Sequence, residues 1–166
     1  MLGYFNDTSN TVQQACARVI LDLNEFCLEE GKYQKEQKLS ILFAPLISIL
    51  RNGVDKASQA TATVCINELV KFWFGAQSKE YLDLVSKEIF SVILKINSEY
   101  HEIFMTAIIL IEVKGLTFFE NKLANFISKI LPIIDGTREG SNNFNSYMCK
   151  VNVCKILEKI ALLLRP

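Results

Sequence analysis

An apolar triplet at helical spacing, Leu46, Ile49 and Leu50, recurs 43 residues on as Ile89, Val92 and Ile93, and after 41 more as Ile130, Ile133 and Ile134. A second set, Val12, Gln14, Ala15, Ala17 and Val19, returns 45 residues on as Ala57, Gln59, Ala60, Ala62 and Val64. Recurrence at a period in the low forties constrains the fold more tightly than any single motif. Each triplet is followed by a short polar turn and another amphipathic stretch, so the repeating unit is a pair of helices. One such pair cannot bury its apolar face alone, whereas stacked neighbours bury a continuous core.

The 3.6-residue periodicity and its stop signals predict seven helices, over 10–30, 36–51, 55–74, 78–96, 99–113, 117–134 and 144–164. Gly31, the Asn52-Gly53 turn, Gly75 and Gly115 are read as stops. Asp55 and Ser78 are read as amino-terminal caps. Pro45 and Pro132 fall inside helical patterns, and Pro45 is expected to kink its helix by removing a backbone hydrogen bond. With only seven glycines and three prolines in 166 residues, the chain lacks the punctuation that strands and tight turns need. The expectation is an all-α chain with no strand.

Two helices per unit at this period is HEAT or armadillo spacing, which makes the expected architecture a right-handed α-solenoid filling residues 1–166 as one domain. The count is three full pairs and one leading helix, equivalent to the second member of a pair whose first member is absent. On that helix Val12, Ala15, Cys16, Val19, Ile20, Leu23 and Phe26 are the apolar positions that mark the helical pattern. An array left open at its amino-terminal end exposes apolar surface, so weak self-association is expected there.

Charge and residue inventory narrow the function. Eighteen basic residues balance eighteen acidic ones, which argues against a nucleic-acid or anionic-membrane surface. A single histidine, His101, leaves little for histidine metal sites or hydrolytic triads, and as a lone imidazole it reads as solvent-facing or locally bonded. No phosphate loop, nucleophile elbow or supported carboxylate pair occurs, so neither enzymatic activity nor a cofactor is expected. The five cysteines, Cys16, Cys27, Cys65, Cys149 and Cys154, show no metal or redox spacing and read as buried free thiols in a reducing compartment. The longest apolar run, 103–111, is too short to span a bilayer, and the first ten residues lack the features of a secretory leader. The cytoplasm is the expected location. Trp73, in the KFWFG cluster, reads as a core or inter-repeat anchor; the charged run 32–38 reads as a solvated linker, and Asn142, Asn143 and Asn145 read as caps of the last helix.

The stretch LFAPLISILRNGVDKASQATATVCINELV (residues 42–70) resembles a HEAT repeat of a TOG domain. It is similar to the TOG-like array of the plant Tortifolia/Spiral family of microtubule-associated proteins. The residues that carry the likeness are Leu42, Phe43, Pro45 and Leu46, followed by Lys56, Gln59 and Ala62, with Asp7, Val12, Ala15 and Cys16 in the opening helix start. The resemblance implies non-enzymatic binding of tubulin or the microtubule lattice, with cytoskeletal association, through the turns within each helix pair. Carried onto this chain, those turns supply Phe5, Asp7, Arg51, Asn52, Lys56, Tyr100 and Arg138, with Phe5 or Tyr4 as the exposed aromatic. The same turns mix Arg51, Lys56 and Arg138 with Asp7, Asp55, Glu99 and Glu139, a nearly neutral edge for an acidic partner. An adaptor that grips a partner on the exposed face of the third, fifth or seventh helix is the alternative.

Overall fold

The computed structural model describes residues 10–29, 35–52, 55–95, 100–135 and 144–165. Among them are seven α-helices, one 3-10 helix and no strand: α1 (Asn10–Glu29), α2 (Lys35–Asn52), α3 (Lys56–Gly75), α4 (Lys79–Lys95), α5 (His101–Lys114), the 3-10 helix (Gly115–Phe119), α6 (Leu123–Ile134) and α7 (Phe144–Leu163). The chain divides into two compact units, Met1–Leu82 and Asp83–Pro166, with the boundary inside α4.

In the first unit α3 packs against both α1 and α2. Its core joins Leu42, Phe43, Leu46, Ile47 and Leu50 of α2 to Ala62, Cys65, Ile66, Leu69, Val70 and Trp73 of α3, with Ala17 and Ile20 from α1. Because α3 is enclosed on most of its circumference, hydroxyls are buried along with its aliphatic residues. They are satisfied locally: Thr61 Oγ1 donates to the Ala57 carbonyl (2.9 Å) and Thr63 Oγ1 to that of Ala60 (2.7 Å). Trp73 is the expected anchor. Its ring stacks on Tyr81 at 5.2 Å and tilts against Phe43 at 6.2 Å, and its Nε1–H donates to buried Asn24 Oδ1 at 3.1 Å.

In the second unit α7 packs against α5 and α6. Four buried rings, Phe90, Phe118, Phe119 and Phe126, lie 5.1 to 6.4 Å apart and tie α4, the 3-10 helix and α6 together. Asn152 Nδ2 donates to the His101 carbonyl at 3.1 Å, joining α7 to the start of α5. The surface pairs Lys114–Asp83 (2.6 Å) and Lys159–Glu112 (3.0 Å) add little by themselves.

Several helix ends differ from the sequence expectation. The predicted sixth helix begins too early. Residues 115–119 form the 3-10 helix, and Glu120 and Asn121 then take left-handed conformations (φ 46° and 63°) before α6 starts. Thr117 Oγ1 bonds the Lys114 carbonyl at 2.6 Å, and this local bond with the burial of Phe118 and Phe119 favours the tight turn. Gly115 closes α5 as expected, at φ 57° and ψ −141°, a backbone that favours glycine. At the end of α3 the residue at positive φ is Gln77 (54°), two positions beyond Gly75. Ser78 N–H reaches back to the Trp73 carbonyl (2.8 Å) and Gln77 N–H to that of Phe74 (3.0 Å), a Schellman closure on a glutamine. Helix α2 continues through Pro45.

The apolar positions of α1 divide between core and surface. Of the apolar positions that mark its pattern, only Ile20 is buried; Ala15, Val19 and Leu23 are exposed, and Val12 and Cys16 are half-buried. The side chain of Phe26 lies outside those described. Ala17, Ile20 and Asn24 face inward instead. The helix carries apolar residues on two sides, and its contact with α3 selects the second.

Candidate functional site

Of the expected binding edge, the end of α2 and the start of α3 lie among the described residues, and positions 53 and 54 between them, with the expected Asn52-Gly53 turn, lie outside. Helix α2 ends on Arg51 and Asn52, and α3 opens on Lys56; all three side chains are exposed. Asp55 occupies the amino-terminal cap with extended backbone (φ −129°, ψ 150°). Its Oδ1 accepts from Ser58 N–H and its Oδ2 from Ser58 Oγ, both at 2.7 Å. Those two hydrogen bonds stabilise the ionised carboxylate and hold the Asp55 pKa below its ordinary value of 3.8. From one turn into α3, Gln59 Nε2 donates to the Leu50 carbonyl at 3.1 Å. The two ends of the connection are thereby pinned to one another, and they present two cations around one capping anion.

The remaining expected contacts divide. Tyr100 is only 9% exposed. It stands immediately before α5 (φ −106°, ψ 106°) with its ring inside, so it is corrected from a partner contact to a core residue. Its apolar ring is better buried than wet at the start of a helix whose Ile103, Phe104 and Ala107 also face inward. Phe5, Asp7 and Arg138 lie outside the described residues, as do Tyr4, Glu99, Glu139, Asn142 and Asn143. The 32–38 run is partly helix, because α2 begins at Lys35.

His101 opens α5 half-buried, with Nδ1 3.4 Å from Glu102 Oε2. Among the described cysteines, Cys65 and Cys149 are buried as expected, Cys16 is intermediate and Cys154 is exposed. Burial pushes the Cys65 thiol up to about 12, and the neighbouring Cys16 adds in the same direction. Among the described residues no group of histidine, cysteine and carboxylate side chains could hold a metal ion, and no helix is long and apolar enough to cross a membrane.

Two surface features escape the sequence reading. Tyr147, near the start of α7, is 65% exposed, although an aromatic in a helical pattern ordinarily signals core. The other is the exposed apolar side of α1, hidden in the sequence because apolar periodicity alone cannot say which of two apolar sides meets a neighbour. The gathered features define an all-helical protein of two helical units with a capped, cation-bearing turn in the first. No family model, no curated protein and no solved structure matches the chain.

Proposed function

We propose that this chain is a non-enzymatic, HEAT-like α-solenoid module that binds a protein partner through its intra-pair turns. Two features support the repeat reading. In each unit a helix packs against the helix after next, α1 on α3 and α5 on α7, as stacked helix pairs do. The leading residue of each repeated triplet, Leu46, Ile89 and Ile130, is buried in all three units of the repeat. The observation that carries the turn as the binding element is the exposed Arg51, Asn52 and Lys56 set around the doubly bonded Asp55 cap. Two helix ends already tied by the Gln59 hydrogen bond to the Leu50 carbonyl lose little conformational entropy on binding. Its two cations suit an acidic protein surface, and the resemblance to TOG-like arrays makes tubulin or the microtubule lattice the favoured partner. That assignment is an analogy from fold to function.

The test is co-sedimentation with microtubules and comigration with free tubulin on a sizing column. Binding is expected to weaken in the Arg51→Glu/Lys56→Glu chain and to decline with added salt. A wild-type chain that neither pellets nor comigrates refutes the tubulin assignment. The second reading, an adaptor gripping a partner on a helical face, is favoured by Tyr147, since exposed aromatics often anchor interfaces. It predicts that Tyr147→Ala abolishes partner capture while the charge reversal in the turn leaves it intact.

A further inference from the structure

Helices α1 and α3 pack against one another in a register that two contacts define. Asn24 of α1 accepts from the Trp73 indole of α3, 49 positions on. Eight residues before each of these, about two helical turns, stand Cys16 and Cys65, again 49 positions apart. After burial itself, Cys16 is the largest cause of the raised Cys65 pKa, an influence that falls off with distance and makes the two thiols neighbours. Two contacts at one offset mean that the helices run parallel with Cys16 facing Cys65. The helices are slender at this level. Buried Ala17 follows Cys16, and buried Ala62 stands one turn before Cys65. Small side chains let helix axes approach to about 8 Å, and a disulfide needs Cα atoms within roughly 7 Å.

The two thiols differ in access. Cys16 is half-buried at the edge of the α1–α3 contact, and Cys65 is wholly buried within it. A small oxidant therefore meets Cys16 first. The Cys65 thiol stays protonated near neutral pH, and the sulfur within its reach is that of Cys16. We propose that Cys16 and Cys65 are a peroxide-responsive thiol pair that closes to a disulfide and ties α1 to α3. The Cys16 sulfur attacks one oxygen of hydrogen peroxide, the O–O bond breaks, and the sulfenic acid of Cys16 and one water form. The Cys65 sulfur then attacks the Cys16 sulfur. The S–S bond forms, the S–O bond breaks, and the hydroxide leaves with the Cys65 proton as a second water. Two thiols give up two electrons and two protons, and the peroxide is reduced to two waters. Because little of Cys65 is thiolate, the second step is the slow one and quickens as pH rises. The bond closes a loop that contains α2, so the oxidised first unit should melt at a higher temperature. This inference does not depend on which partner the turns bind.

The test exposes the folded 166-residue chain to hydrogen peroxide, blocks the remaining thiols in denaturant and reads the tryptic peptides by mass. Trypsin puts the five cysteines on five separate peptides, with Cys16 on residues 1–18 and Cys65 on residues 57–71. The expected product is those two peptides joined, lighter than their sum by two hydrogens, separated by reductant, and formed within one chain. In Cys65→Ala the joined product should be lost and Cys16 should be trapped by dimedone as its sulfenic acid. In Cys16→Ser, a change at a half-buried position that should leave the helical circular dichroism intact, Cys65 should be recovered as a thiol. Cys16 and Cys65 both recovered as thiols, a bond from either to Cys27, Cys149 or Cys154, a bond between copies, or a Cys16 sulfenic acid that persists unjoined in the unsubstituted chain each overturns the proposal.

Discussion

The Trp73–Asn24 hydrogen bond ties α3 to α1 across the core of the first unit, and removing its partners singly and together measures how far that core depends on it. Asn24 is a buried amide that uses Oδ1 to accept from the indole (3.1 Å), while its Nδ2 has no hydrogen-bond partner among the described residues. In Trp73→Phe, Oδ1 loses its donor, which costs about 1–3 kcal/mol for a buried unsatisfied group. The smaller ring also leaves roughly 40 Å³, about 1 kcal/mol at the usual cavity coefficient. The expected loss is therefore about 2–4 kcal/mol. In Asn24→Leu the indole N–H is left unpaired, but the orphaned amide nitrogen also disappears, so the net loss is roughly 0–2 kcal/mol. With both replaced, no polar group is left behind, and little more than the cavity remains. The double variant should thus be more stable than Trp73→Phe alone, with a coupling of about 1–5 kcal/mol. Urea unfolding followed by far-ultraviolet circular dichroism gives all four values. Fluorescence of Trp73, the chain's one tryptophan, gives a local check in the two chains that retain it. Strictly additive losses, with coupling below about 0.5 kcal/mol, would refute the assignment of a bonded, desolvated pair.

Four further outcomes follow from local geometry. Asp55→Ala should lower the melting temperature at neutral pH. Because the folded carboxyl titrates below its unfolded value of 3.8, that difference is fully present above about pH 4 and vanishes as pH falls through the folded pKa, as paired melts across pH will show. Gly115→Ala should destabilise by about 1–3 kcal/mol in urea unfolding, although the nearest atom to an added Cβ, Leu163 Cδ2, is 3.9 Å away; the cost comes from the positive φ of 57°. Exchanging the roles of two residues at the end of α3, as Gly75→Ala/Gln77→Gly, should stabilise by roughly 1–2 kcal/mol, since a Cβ at Gly75 meets nothing within 4 Å and Gln77 holds the left-handed position. In thiol labelling at pH 8 read by peptide mass, Cys154 should react readily, while Cys65, with its thiol near 12, should react only on unfolding.

The helices were legible because helix formation leaves local marks. Asp55 caps α3, Gly115 closes α5, and apolar residues recur with the helical period in between. Two misreadings have physical causes that operate beyond that range. Phe118 and Phe119 continue an apolar pattern into α6, but both are drawn into a four-ring cluster with Phe90 and Phe126. That packing, with the Thr117 bond, favours a 3-10 turn over another turn of α-helix. Tyr100 was expected among the partner-contacting turn residues, yet its ring is buried. The flanks of the α2–α3 connection were partly legible through Arg51, Asn52 and Lys56; the pinning by Gln59 of the Leu50 carbonyl was not, since a glutamine at that spacing has many other partners available.

By itself, then, the sequence determined that the chain is helical and close to where its helices begin and end, because capping, glycine conformation and backbone hydrogen bonding act within a few residues. Only the tertiary structure decided which side of α1 faces the core, and how the Trp73 indole comes to donate a hydrogen bond to Asn24, 49 positions away. Burial is settled by neighbours distant in sequence. A helix with apolar residues on two sides has no internal reason to prefer one until another helix packs against it.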